Sequence, residues 1–295
     1  MSRRSASVRV PATSANMGPG FDSLGVALDW TARITITVDD QPLETPRGPI
    51  DSMASTAAIS LFRHAGADIP VGVQSDYEGD IPVGRGLGVS AFARVGGLVA
   101  ANELLRGEYD DDTLLALATR LEGHADNAAP ALLGGVQVTV DTDDGLQHVT
   151  IEPPDDLHVV LLVPSFSMPT EKSRKKLPEQ LTRQQAVHNI GRAALLVAAL
   201  QQRRYDLLAT ATEDVLHQPA RGQIFEAMFP IFEAARSAGA LAAYLSGGGP
   251  TVAALATDGL DAIAEAMQQA AAGHNVSGRT KVTSMSAAGA VLLEN

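Results

Sequence analysis

Glycines recur at every second position in Pro82-Val83-Gly84-Arg85-Gly86-Leu87-Gly88-Val89-Ser90-Ala91, directly ahead of an Ala- and Leu-rich stretch. A loop of this kind presents bare backbone N–H groups and then the positive end of a helix dipole, a combination that binds phosphate. The dipole contributes only about 0.3–1 kcal/mol per charge, so several N–H contacts and a metal ion must share the load. Ser90, at the helix start, carries a hydroxyl that could ligate Mg²⁺. Taken alone, the segment reads equally well as a turn into a helix that Ser90 caps. Two other nucleotide motifs fit worse. No Gly-x-x-x-x-Gly-Lys-Ser/Thr occurs in the chain. Gly86-x-Gly88-x-x-Ala91 has Pro82 and Gly84 where a dinucleotide site needs a lead-in strand.

The elements around this loop follow from periodicity and punctuation. Ser7 to Pro11 and Arg33 to Val38 alternate with period two and predict strands, with the Gly/Asn/Pro-rich passage Thr13 to Asp22 between them as a loop fit for a site. Met53 to His64, Ser90 to Arg106 and Asp112 to Glu122 predict helices, the last behind an acidic run that suits a helix N-terminus. Strands are expected near 71–74, 136–140 and 158–163. In the second half, helices are expected near 182–202, 206–214, 225–237 and 260–271. Strands are expected at 241–245 and 252–255, then two short ones at the end. Pro153-Pro154-Asp155-Asp156 is the best domain boundary.

Bulk composition narrows the class. The chain has 295 residues, 45% hydrophobic, enough for one large or two smaller domains. A formal charge of −12 argues against a nucleic-acid binder. An anionic substrate then needs a local basic site, and Lys172, Arg174, Lys175 and Lys176 form one. With no cysteine, disulfides, thiolate metal sites and cysteine nucleophiles are excluded, and a cytoplasmic setting is expected. No apolar run approaches the ~20 residues of a membrane span, and Met1 to Ser5 does not read as a secretory signal.

Four segments occur together in order: Val10-Pro11-Ala12-Thr13-Ser14-Ala15-Asn16-Met17-Gly18-Pro19-Gly20-Phe21-Asp22, the glycine loop, Glu122-Gly123-His124-Ala125-Asp126-Asn127-Ala128-Ala129-Pro130, and Ser246-Gly247-Gly248-Gly249-Pro250-Thr251. The combination resembles the GHMP kinase superfamily. The first and third segments are similar to its homoserine kinases in particular, as are Pro169 to Arg174 and Asp214 to Arg221. The resemblance runs from about residue 7 to the C-terminal end.

The resemblance implies an α+β fold of two domains. Residues 1–153 would form a ribosomal S5 domain 2-like half with the nucleotide loop, and 154–295 a ferredoxin-like half, with the site between them. It implies transfer of the ATP γ-phosphoryl group to the side-chain hydroxyl of L-homoserine, on the way to threonine. ATP would sit on Pro82 to Ala91, and Mg²⁺ on Ser90 and Glu122. Asn16, Asp22, His124, Thr170, Arg174 and Arg221 would hold homoserine. Two arginines suit a carboxylate, because a planar guanidinium binds it bidentately, and Asp22 with Asn16 suits the ammonium. Asn127 stands where some relatives carry an aspartate base, so catalysis would rest on Mg²⁺, the helix N-terminus and orientation; Asp126 is the other candidate base. Ser246 to Thr251 would help close the site. Three departures stand out: Val89 where a serine is usual, Ala220 where an aromatic is usual, and residues 45–55 without the adenine-contacting asparagine segment. Alternatives are a kinase of this fold for another small hydroxylated metabolite, such as threonine or mevalonate, or a non-catalytic sensor. A homodimer is expected from relatives alone, with no nucleic-acid or membrane partner.

Overall fold

Strand β1 (Arg4–Ala15) and strand β2 (Leu24–Asp39) begin the chain as a long antiparallel pair. Ala6, Val8 and Val10 point inward from β1, as do Trp30, Ala32, Ile34, Ile36 and Val38 from β2, while Arg9, Asp29, Thr31 and Arg33 face outward. This period-two alternation covers one face of a sheet with apolar side chains. A computed structural model describes residues 3–43, 48–168 and 173–294. Helix α1 (Pro49–His64), β3 (Gly72–Glu78), α2 (Val89–Leu104), α3 (Asp111–Glu122) and α4 (Ala128–Leu133) follow, then β4 (Val136–Thr142) and β5 (Gly145–Ile151). The first sheet has six strands with path β10-β1-β2-β4-β5 and β3 paired to β2.

The chain leaves this sheet at Ile151 and enters a second one at β6 (His158–Pro164). Helix α5 (Arg183–Gln201) begins at a capping box, in which the Thr182 hydroxyl accepts from the Gln185 amide at 3.2 Å and the Gln185 side chain accepts from the Thr182 amide at 2.9 Å. A 3-10 turn (Tyr205–Leu207), α6 (Leu208–Ala211), α7 (Gln218–Gly222) and α8 (Met228–Ser237) lead to β7 (Ala242–Leu245) and β8 (Val252–Ala256). Then come α9 (Leu260–Gly273), β9 (Gly278–Ser284) and β10 (Val291–Leu293). The four strands of the second sheet lie in the antiparallel order β7-β8-β6-β9. With α8 and α9 packed on it, this is the ferredoxin-like arrangement. β10 returns to the first sheet and pairs with β1, Ser7 opposite Leu293. One apolar cluster spans both sheets, from Val8 and Phe92 to Leu161, Tyr244 and Leu255; a second lies between β6, β8, α8 and α9. Among the described residues no helix is long and apolar enough to cross a membrane.

Several element boundaries differ from expectation. β1 continues through Thr13 and Ser14 to Ala15, all fully buried, so the loop starts only at Asn16. The helix expected over 206–214 is a 3-10 turn and one α turn, because the Asp214 carboxylate is used to accept the amides of Leu216, His217 and Gln218. Three unexpected elements, β5, α4 and α7, are short, and two of them contain proline.

Candidate active site

Gly84, Gly86 and Gly88 all take left-handed backbone angles, with φ of 69°, 75° and 66°. Each turn throws the next carbonyl onto a protein donor. Gly84 O accepts from the Met168 amide at 3.3 Å, Arg85 O from Thr251 at 3.1 Å, Leu87 O from Thr13 at 3.2 Å and Gly88 O from Phe92 at 2.8 Å. Gly86 O accepts from the Ser246 hydroxyl at 2.7 Å. The N–H groups of the same residues donate to no protein acceptor among the described residues. With the carbonyls turned away and the amides left bare, the loop is a concave anion cradle. A side chain is excluded at two points. A Cβ on Gly86 would stand 2.2 Å from the Ser246 carbonyl oxygen, and one on Gly88 1.8 Å from the Thr13 hydroxyl. Arg85 braces the loop from outside by donating from Nε to Pro164 O at 2.9 Å and from an η nitrogen to Ser165 O at 2.6 Å.

The cradle opens into a cavity of about 310 Å³. At its floor α2 begins with Val89 and Ser90, and the last residue of α3, Glu122, reaches across. α3 is started by Asp110, whose side chain accepts from the Thr113 amide at 2.9 Å, and stopped by Gly123 at φ 86°. The Ser90 hydroxyl donates to Glu122 Oε2 at 2.9 Å, and Arg94, one turn along α2, holds Oε1. The Glu122 side chain is only 5% exposed. A hydroxyl and a carboxylate side by side at the edge of an anion cradle are hard oxygen donors, the set that Mg²⁺ takes together with phosphate oxygens.

The other end of the cavity is built by the 16–22 loop, α7 and the 246–251 turn. Asn16, Met17 and Asp22 are non-glycine residues at φ of 68°, 47° and 57°. Such backbone persists only where its surroundings hold it. Asn16 supplies part of that hold: its Oδ1 accepts from the Asp22 amide at 3.0 Å and its Nδ2 donates to Gly247 O at 2.9 Å. Asp22 receives Arg174 bidentately, at 2.8 and 2.5 Å. This pairing raises the Arg174 pKa above its ordinary value. Arg221 lies below, 1% exposed, and burial together with the Arg174 charge pulls its pKa down to about 10. Both guanidinium carbons lie over the Phe21 ring, at 5.2 and 5.5 Å.

Between the two ends, His124 Nδ1 meets Asp126 Oδ1 at 2.5 Å, which raises the histidine pKa through that hydrogen bond and the carboxylate charge. Asn127 Nδ2 donates to the same oxygen at 3.3 Å, and its Oδ1 accepts from the Thr13 hydroxyl at 2.7 Å. Asn16, Asp22, Val83 to Ser90, Glu122, His124, Asn127, Arg174 and Arg221 all line the one cavity, as do Asp126, Gly247 and Gly248. Pro82 and Ala91 do not, and Ala91 is turned into the core. Thr170 lies outside the described residues. Sequence reasoning missed Met53 on the cavity wall, the hold of Arg94 on Glu122, and the contact of His217 with Arg221. The i, i+4 spacing of His217 and Arg221 across a short helix was the only signal for the last.

Comparison with known proteins bears on the family and the fold. The family model described as GHMP kinases N terminal domain matches residues 52–135, and that described as GHMP kinases C terminal matches 196–273. A homoserine kinase of Deinococcus radiodurans is 42% identical over 257 residues, 84% of this chain and 83% of that protein. One of Carboxydothermus hydrogenoformans is 40% identical over 261 residues, 85% of each. The crystal structure of homoserine kinase from Cytophaga hutchinsonii superposes with a TM-score of 0.89 at 30% identity, covering 98% of this chain and 97% of that one. The chain belongs to the homoserine kinase family of the GHMP kinases, which are ATP-dependent phosphotransferases.

Proposed function

We propose that this chain transfers the γ-phosphoryl group of ATP to the side-chain hydroxyl of L-homoserine, giving O-phospho-L-homoserine. One observation carries the reading: a row of bare amides and a set of opposite charges, Asp22 with Arg174 and Arg221, open into the same cavity. Homoserine is a zwitterion. Its ammonium goes to Asp22 and its carboxylate to Arg174 and Arg221. Without substrate, Asp22 and Arg174 satisfy one another; the incoming ammonium and carboxylate replace that pair with like charges. Mevalonate brings no ammonium to offer Asp22, so it would engage only the arginine side of this set. Threonine carries its hydroxyl one carbon closer to the head group.

The Ser90 hydroxyl and Glu122 carboxylate would hold Mg²⁺, which neutralises charge on the phosphates. The remaining work falls to the chain. The amides of Gly84 to Gly88 bind phosphate oxygens, and the α2 N-terminus adds positive potential. Asn127, fixed between Thr13 and Asp126, orients the hydroxyl. No dedicated base is assigned, since phosphoryl transfer depends chiefly on positioning and charge neutralisation. A cysteine-free chain suits the cytoplasm, where we place the reaction.

A coupled ADP-release assay with Mg·ATP tests the reading. L-Homoserine should stimulate turnover well above L-threonine and mevalonate. Stimulation by either of those with none by homoserine would overturn the substrate assignment. Asp22→Ala should raise the homoserine KM about tenfold or more while the ATP KM stays within about twofold; equal losses would count against the ammonium contact.

A further inference from the structure

His217 is fully buried, carries no substrate contact in the reading above, and touches both halves of the head-group site. An Arg221 η nitrogen lies 2.7 Å from His217 Nδ1. A guanidinium has donors only, so Nδ1 presents its lone pair. Nε2 lies 2.7 Å from the Gly18 carbonyl oxygen, which only accepts, so Nε2 carries the hydrogen. Both nitrogens are engaged, and the ring is held in one neutral tautomer. Arg221 completes its fixed contacts by donating from Nε to the Ser173 hydroxyl at 2.7 Å and from the same η nitrogen to Gly247 O at 3.0 Å.

The neighbours give this ring little room. Gly18 sits at φ 86° with the Thr212 backbone against it, where a Cβ would come within 2.3 Å of the Thr212 oxygen. The Phe21 ring lies 5.5 Å from the His217 ring, centre to centre. The His217 amide is tied at 2.8 Å to the Asp214 carboxylate, itself anchored by Asn189 Nδ2 at 2.7 Å.

We propose that His217 is a positioning residue for amino-acid recognition. It aims Arg221 into the cavity and pins the Gly18–Asp22 loop, so that the carboxylate arm from α7 and the ammonium arm from the end of β1 are set by one ring. This rests on the assignment of Arg221 to the substrate carboxylate.

Steady-state kinetics of the full chain with L-homoserine and Mg·ATP test it. His217→Gln keeps a donor within reach of Gly18 and leaves Arg221 without its ring acceptor. The homoserine KM should rise about tenfold or more, as for a hydrogen bond to a charged group, with the ATP KM within about twofold. His217→Asn, whose Oδ1 falls near the place of Nδ1, should recover much of that loss. A homoserine KM within about twofold of the parent for His217→Gln, an equal rise in both KM values, or no recovery by Asn would overturn the aiming role. Arg221→Lys separates the two claims. An unchanged homoserine KM in that variant removes the carboxylate reading, whereas a raised one beside an unaffected His217→Gln removes only the role of His217. Should neither His217 variant fold, a two-bond ¹H–¹⁵N correlation spectrum of the parent decides. A neutral Nε2–H ring supports the inference, and an imidazolium at neutral pH or an Nδ1–H ring overturns it.

Discussion

Ser90 and Glu122 are 32 positions apart and meet because one opens α2 and the other closes α3. If they hold the metal as proposed, Ser90→Ala should lower kcat by about 100-fold, the scale of losing one well-placed electrostatic contact, with the melting temperature nearly unchanged. A kcat within a fewfold of the parent would move the metal elsewhere. A second expectation concerns His217. Burial pushes its pKa from 6.5 down to about 4, against the opposing pull of Asp214 and Asp22 and with the added push of Arg221. The unfolded chain therefore binds a proton that the folded one refuses between those two values. Stability from this group is complete above pH 6.5 and declines as pH falls toward about 4. His217→Gln should flatten that part of the stability-versus-pH curve by close to one proton, measured by urea unfolding at successive pH values. At this scale the sequence was informative where a residue sits in a dense motif, as with Asp22 or His124. It was silent on Arg94 and most of what His217 does, because their meaning lies in partners supplied by other elements: Glu122 for one, Gly18 for the other.

The glycine loop shows how an element can be legible in kind and illegible in setting. Its alternating glycines and the helix behind them announce bare amides, and three left-handed residues provide them. What could not be read is the set of donors that turns every carbonyl away, since Thr13, Met168, Ser246 and Thr251 come from distant segments. Gly86→Ala tests that setting directly. The new methyl would need a φ of 75° and would strike the Ser246 carbonyl. A cost of about 1–3 kcal/mol in stability is expected, with a higher ATP KM and a homoserine KM that changes much less. Equal changes in both KM values would mean that the loop serves the whole cavity rather than the phosphates. Long periodic strands and helices were foreseeable, and short pieces such as Ala128–Leu133 and Gln218–Gly222 were not. Pieces of one or two turns are held by tertiary contacts, such as the Gln218 side chain accepting from the Leu245 amide at 2.8 Å, and their own composition, proline included, says little.

At the scale of the whole molecule, the two sheets share a core, and the last strand of the chain returns from the second to the first. Leu161, Tyr244 and Leu255 of the second sheet pack in the same cluster as Val8 and Phe92 of the first, and β10 crosses back to β1. Tyr244, fully buried, receives the Ser14 hydroxyl at 3.3 Å, and the Ser246 hydroxyl reaches both Ser14 and the glycine loop. Halves joined in this way should unfold together: differential scanning calorimetry is expected to give one transition whose van't Hoff and calorimetric enthalpies agree, and two resolved transitions would contradict it. The carbonyl bonds of the glycine loop carry a further consequence, in time rather than in energy. Anchored to both halves, the loop cannot swing aside to admit nucleotide, and its unbonded amides stand open to solvent deuterium in a region where neighbouring strands are protected. In hydrogen–deuterium exchange mass spectrometry, a peptide spanning residues 82–91 should label rapidly in the free protein and slow sharply with Mg·ATP. That would make this loop the fastest-exchanging ordered segment near the core and a direct clock for nucleotide arrival and departure; a labelling rate indifferent to nucleotide would place the phosphates elsewhere.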